Sequence, residues 1–137
     1  VERILTNLDS IKRGISTVIS PNIGVTFCQA CYQLMGERLN EAISELADKI
    51  FFIHFRNVRG IKTNFSETFH DNGDIDMAST MKLYVENGID VPIRVDHVPT
   101  LAGEESGVAG YDTLGRLFAI GYLKGIIDGL NAARNIC

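Results

Sequence analysis

Runs of lysine or arginine are missing from this sequence: thirteen basic residues are scattered among seventeen acidic ones, for a net charge of -4 in 137 residues. Tracking nucleic-acid phosphates takes a basic stripe, so no nucleic-acid partner is expected. An uninterrupted apolar run is missing as well. The most apolar long segment, Leu114 to Leu130, is broken by Arg116, Lys124 and Asp128, so it reads as a packing helix and no membrane partner is expected. Cysteine is scarce and odd in number, at Cys28, Cys31 and Cys137, and no signal-peptide pattern opens the sequence. A secreted disulfide framework is therefore not expected, and a reducing cytoplasm is. With 3 Pro, 13 Gly, 45% hydrophobic and 22% charged residues, the composition is that of about one ordinary globular domain. Internal repeats, linkers and low-complexity tracts are absent too.

What is present alternates. Residues 2–15 predict a helix, 22–28 a short strand, 35–48 a helix, 49–55 a strand, 76–88 a helix, 92–97 a strand, and 112–130 a final helix. The third helix is punctuated by Asp76 as its N-cap and Gly88 just past its end. Strand followed by helix, repeated, predicts parallel strands joined by right-handed crossovers. Ile50 to Ile53 is continuously apolar, the pattern of a strand buried on both faces. Gly121, Gly125 and Gly129 recur every fourth residue and predict close backbone packing of the last helix against a neighbour.

The three predicted strands end on chemistry. The first ends at Cys28, the second at His54, the third at Asp96 with His97 beside it. In parallel α/β sheets and barrels the carboxyl ends of the strands are where ligands bind. A lone Cys or His is ordinarily a packing residue. Three in register suit a divalent transition ion such as Mn, Fe or Zn, because thiolate and imidazole are poor ligands for Ca or Mg.

Other signals lead less far. Cys28 and Cys31 form C-x-x-C, but no second such pair completes a zinc knuckle. "HDNGDID" has the acidity of a calcium loop without its spacing, and reads as the approach to the Asp76 cap. "LAGEESGVAGYD" is Gly-rich without a Lys-Ser/Thr partner, so it predicts a flap carrying Tyr111 over the site.

The stretches "GVTFCQ", "IFFIHFRNV", "FSETFHDNGDIDM", "PIRVDHVPTLAGE" and "GYDTLGRLFAIGYLKG" together resemble the C-terminal part of the mannonate dehydratase family, in the same order and over nearly all of residues 20–130. The resemblance implies an α/β fold: a partial (β/α)8 TIM barrel, three C-terminal βα units of a xylose-isomerase-like barrel. It implies a metal-dependent lyase converting D-mannonate to 2-keto-3-deoxygluconate and water in hexuronate breakdown, with Mn(2+) or Fe(2+) as cofactor and a homo-oligomeric assembly. By motif, Cys28, His54 and Asp96 match metal ligands, and His97 and Tyr111 match residues that handle protons. A further His ligand of the family comes from an earlier strand that these residues do not include. Ala30 departs from the Gly, and Cys31 from the small residue, that the family resemblance leads one to expect after "TFCQ".

The residue types suit that chemistry. Withdrawing a proton beside a carboxylate needs a cation to share the charge, and the departing hydroxyl needs a proton. Imidazole exchanges protons near neutral pH, whereas a phenol, which ordinarily holds its proton to about pH 10, needs a metal or cation nearby. Arg56, two residues past His54, is expected to pair with an anion, either substrate carboxylate or a structural Asp. Asn57 reads as a turn residue, and His70 as a cover over the substrate. Two other readings stand beside the dehydratase: a sugar isomerase on the same barrel, which would want a carboxylate-rich metal pair and a Lys, and an inactive fragment with a packing role. Three strands cannot close a barrel of eight, so residues 1–137 are expected to be one segment of a single barrel domain, insoluble or molten alone, with the remainder of the barrel as a partner.

Overall fold

The computed structural model describes residues 3–104 and 108–134. Helix α1 (Leu8–Ser16) begins later than the periodicity predicts because Asn7 caps it: the Asn7 side chain accepts from the Ser10 backbone and the Ser10 hydroxyl reaches back, a reciprocal capping box. Strand β1 (Val25–Cys28) runs directly into α2 (Gln29–Leu34). The single helix expected over 35–48 is a correction. Its first residues close α2, where Gly36 takes φ +87°, Gly36 N–H donates to Gln33 O at 2.9 Å and Glu37 N–H donates to Tyr32 O at 3.0 Å. Only then does α3 (Leu39–Leu46) start, and a short 3-10 turn leads into β2 (Ile50–His54).

An antiparallel hairpin follows, β3 (Val58–Ile61) and β4 (Asn64–Glu67), joined by a two-residue turn. Helix α4 (Met77–Glu86) has the predicted punctuation: Asp76 accepts from Ser79 N–H at 2.9 Å, and Gly88 sits at φ +68° past the end. Strand β5 is only Ile93–Arg94, shorter than the predicted 92–97, and α5 spans Thr113–Arg134.

The sheet order is β1-β2-β5, and both pairings are parallel as the alternation requires. One face of the sheet is covered by helices. Phe27, Ile43, Leu46, Ile53 and Tyr84 are almost fully buried, each side chain contributing about 1.5–3 kcal/mol by leaving water. Phe27 stacks on Tyr32 at 4.1 Å between ring centroids and meets Tyr84 edge-on at 6.1 Å.

Two packing expectations are corrected. Phe51, passed over by the register with β1, remains 42% exposed between buried Ile50 and half-buried Phe52, so the β2 run is not buried throughout among the described residues. Gly121, Gly125 and Gly129 have open space where a Cβ would stand. Helix α5 packs instead through Gly115, Ala119 and Leu123, one turn apart on another face, while Leu114, Leu117 and Phe118 stay exposed. Among the described residues no helix is long and apolar enough to cross a membrane.

Candidate active site

Parallel pairing brings the strand ends together. The register sets Cys28 opposite His54 and His54 opposite Arg94, on strands spaced by about 4.8 Å. Past Arg94 the chain leaves the sheet, since Asp96 takes φ +53°, a left-handed conformation that a side chain seldom adopts. That turn truncates β5. It also accompanies the return of the Asp96 carboxylate to the strand ends, where Oδ2 lies 3.5 Å from His54 Nδ1 and Oδ1 lies 4.0 Å from Arg94 Nη2.

The sulfur of Cys28, a ring nitrogen of His54 and a carboxylate oxygen of Asp96 all lie within 4.8 Å of one another. Two donors bonded to one ion at about 2.0–2.3 Å stand at most about 4.5 Å apart, so small side-chain rotations fit these three around a metal. The donor set is soft plus borderline plus hard, the mixture that favours a transition ion over Ca or Mg. Cys28 and Asp96 are buried and His54 is half-buried, so the group faces solvent through its imidazole.

Cys31 lies one helical turn on. The hydrogen bond between the two thiols, together with burial, pushes the Cys28 thiol well up. The same bond draws Cys31 down to about 7, aided by Arg56, whose Nη1 lies 3.8 Å from its sulfur.

Beside the group runs a polar chain. His97 Nε2 meets the Tyr111 hydroxyl at 2.8 Å, and His97 Nδ1 meets Glu67 Oε1 at 3.2 Å. Arg56 clamps Glu67 with both arms, Nε to Oε2 at 2.9 Å and Nη2 to Oε1. Tyr111 reaches His97 because Gly110, at φ +88°, accepts from Val98 N–H and comes so close that a Cβ there would stand 3.2 Å from the His97 ring. The cation expected near the phenol is present twice, with Arg94 and Arg116 lying 5.1 and 6.0 Å from the Tyr111 ring centroid. Of the flap expected over 101–112, residues 105–107 lie outside the described residues, as does Cys137.

Three sequence expectations change. Arg56 is only 8% exposed and its anion is Glu67, which is neither the substrate carboxylate nor the Asp expected for it. His70 does not cover a substrate here: it is fully buried, and its Nε2 lies between the carbonyls of Phe55 and Val95. Two acceptors on one nitrogen require Nε2 to carry the proton, and burial lowers the pKa of the ring. Asn57 is more than a turn residue. Its side chain gives hydrogen bonds to His70 O and Ile75 O and takes them from Val58 N–H and Ile75 N–H, all between 3.0 and 3.1 Å.

Glu67 was not singled out in the sequence. It ends a short, largely exposed strand whose "NFSE" pattern carries no clear apolar alternation, and its partners lie 11 and 30 residues away. The usable signal was the buried arginine itself, which demanded a carboxylate.

The sequence profile of D-mannonate dehydratase (UxuA) matches residues 1–136. A mannonate dehydratase of Enterococcus faecalis is 34% identical over 139 residues, spanning 97% of this chain and 38% of the relative. Mannonate dehydratase 1 of Halalkalibacterium halodurans is 36% identical over 132 residues, spanning 93% of this chain and 36% of the relative. The crystal structure of mannonate dehydratase from Streptococcus suis superposes with a TM-score of 0.89 at 26% identity, covering 98% of this chain and 40% of that one. This chain thus spans well under half the length of each of these three relatives.

Proposed function

The chain belongs to the D-mannonate dehydratase family, and from that premise we propose that its residues form the C-terminal part of a metal-dependent hydro-lyase acting on D-mannonate. The observation that carries the reading is the convergence of Cys28, His54 and Asp96 next to the bonded pair His97–Tyr111. Cys28, His54 and Asp96 are the residues that would hold the ion, Mn(2+) or Fe(2+). When bound, the ion supplies positive charge on which the negative charge developing beside the substrate carboxylate is spread.

This chain's own groups handle the protons. His97 and Tyr111 withdraw the proton from the carbon next to the carboxylate and deliver one to the hydroxyl leaving the adjacent carbon. Water departs, and the enol tautomerises to 2-keto-3-deoxygluconate. Atoms balance, because the product and one water together contain every atom of D-mannonate. Arg94 and Arg116 flank the phenol with positive charge, and Arg56 acts one step back by holding Glu67.

The same reading makes the three-stranded sheet part of a (β/α)8 barrel. Strands β1 and β5 each have one edge without a partner in the described sheet, and Phe51, Leu117 and Phe118 are exposed on its surroundings. Such edges and apolar faces favour further strands and helices against them. A homo-oligomeric cytoplasmic enzyme fits the family and the unpaired thiols.

The test is turnover by the complete protein loaded with Mn(2+). Stoichiometric appearance of 2-keto-3-deoxygluconate from D-mannonate is expected. Aldose–ketose isomerisation with no dehydration would overturn the reading in favour of a sugar isomerase.

A further inference from the structure

We propose that Glu67 is a positioning residue that sets the tautomer of His97, so that the ring nitrogen facing Tyr111 is the proton acceptor. The kinetic part of this proposal rests on the dehydratase reading above; the structural part does not.

A carboxylate accepts hydrogen bonds and donates none, so His97 Nδ1, 3.2 Å from Glu67 Oε1, must carry a hydrogen. In a neutral imidazole only one nitrogen does, and the bond made by one fixes the state of the other. In that neutral form, the one able to take up a proton, Nε2 is bare, and the Tyr111 hydroxyl, 2.8 Å away, donates to it. Arg56 makes the arrangement rigid. Its two-armed grip on Glu67 fixes the carboxylate plane, and it is itself buried, with 8% exposure. Glu67 arrives on β4, whose four residue pairs with β3 fix where the carboxylate stands relative to the sheet.

The consequence is a directed relay. A proton leaving the phenol passes to Nε2, and Glu67 balances the charge that the ring acquires at that moment. With the opposite tautomer Nε2 would point a hydrogen at Tyr111, and the phenol could only accept. Glu67 touches neither substrate nor metal in this scheme, so its effect falls on turnover and not on binding.

The experiment uses the complete protein labelled with 15N-histidine, with the His97 signals identified by their loss in His97→Asn. Long-range proton–nitrogen spectra without substrate are expected to show Nδ1 protonated and Nε2 bare. Because Oε1 accepts from Arg56 Nη2 and faces His97 Nδ1 alike, the amide of Glu67→Gln sets an NH2 against an Arg56 N–H whichever way it turns; the charged grip is lost, Nδ1–H is no longer held, and the proton is expected to move to Nε2. With D-mannonate, Glu67→Gln should lose about 10-fold or more in kcat, part of the roughly 100- to 10,000-fold that positioned proton transfer contributes. KM should stay within about threefold. Glu67→Asp keeps a carboxylate, so it should retain the Nδ1–H tautomer and recover more kcat than Gln does. A wild-type spectrum with the hydrogen on Nε2 overturns the proposal without any variant. An unchanged tautomer and kcat in Glu67→Gln overturns it too, leaving Glu67 as an anchor for Arg56 alone. Because the tautomer is read without substrate, a protein that fails to dehydrate D-mannonate refutes the function and leaves this assignment to be decided on its own.

Discussion

Replacing Asn57 by Ala should cost the fold about 3–5 kcal/mol. The side chain is 1% exposed and makes four hydrogen bonds, two given to carbonyls and two taken from N–H groups. Each bond is worth about 1 kcal/mol net, and backbone groups left buried without a partner add to the loss. Those bonds tie the start of β3 to the segment from His70 to Ile75, so the loss loosens the hairpin that delivers Glu67. Asn57→Asp should do no better. It preserves the two accepted bonds but turns a carboxylate toward two carbonyl oxygens. Gly73→Ala attacks the same knot from outside, since its Cβ would collide with the Asn57 side chain and stand 2.6 Å from Thr68 Oγ1. Equilibrium urea unfolding of the complete protein measures all three. A loss below about 1 kcal/mol in Asn57→Ala would refute the reasoning, because it would mean that water replaces all four bonds at no cost.

Three further outcomes follow from the site. His97→Asn and Tyr111→Phe should leave metal content and substrate binding largely intact while kcat falls by about 100-fold or more; normal turnover by either removes that residue from the relay. Cys31→Ser should keep the metal and most activity, because Cys31 stands outside the converging group, and metal loss there would make C-x-x-C the binding unit. Burial lowers the pKa of His70 from its ordinary 6.5, so below about pH 6.5 the unfolded chain gains a proton that the folded chain resists. Stability is then full above that pH and drains as pH falls toward the folded-state value. His70→Gln should flatten this acid limb in urea midpoints measured from pH 7.5 to 5, and an unchanged slope would show that the ring is protonated in the fold.

The strand ends were legible because parallel pairing needs nothing beyond local patterns. The apolar run of β2, the short run before Cys28 and the capped α4 between β2 and β5 settle which residues meet, and Cys28 and His54 fall opposite each other as a result. Asp96 was legible as a site residue but not as a shape. Its left-handed backbone truncates β5, and no spacing rule announces φ +53° in an aspartate. Arg56, His70 and Asn57 were recognised as polar residues needing an explanation, yet their partners lie 11 to 25 residues away and on other elements. Periodicity carries no information about such bonds. The hairpin was missed for the converse reason: it is short and half exposed, held by its turn and by Asn57 rather than by an apolar face. The glycine row on α5 misled because regular spacing reports which residues share a face, and not whether anything covers it.

The central claim is that Cys28, His54 and Asp96 hold one divalent transition ion. Metal stoichiometry by inductively coupled plasma mass spectrometry tests it most directly, on the complete protein and on Cys28→Ser, His54→Ala and Asp96→Asn. Each variant removes one donor from a group that spans 4.8 Å, so each should lose bound metal, and activity with it, while remaining folded by circular dichroism. Full occupancy in all three variants would contradict the account.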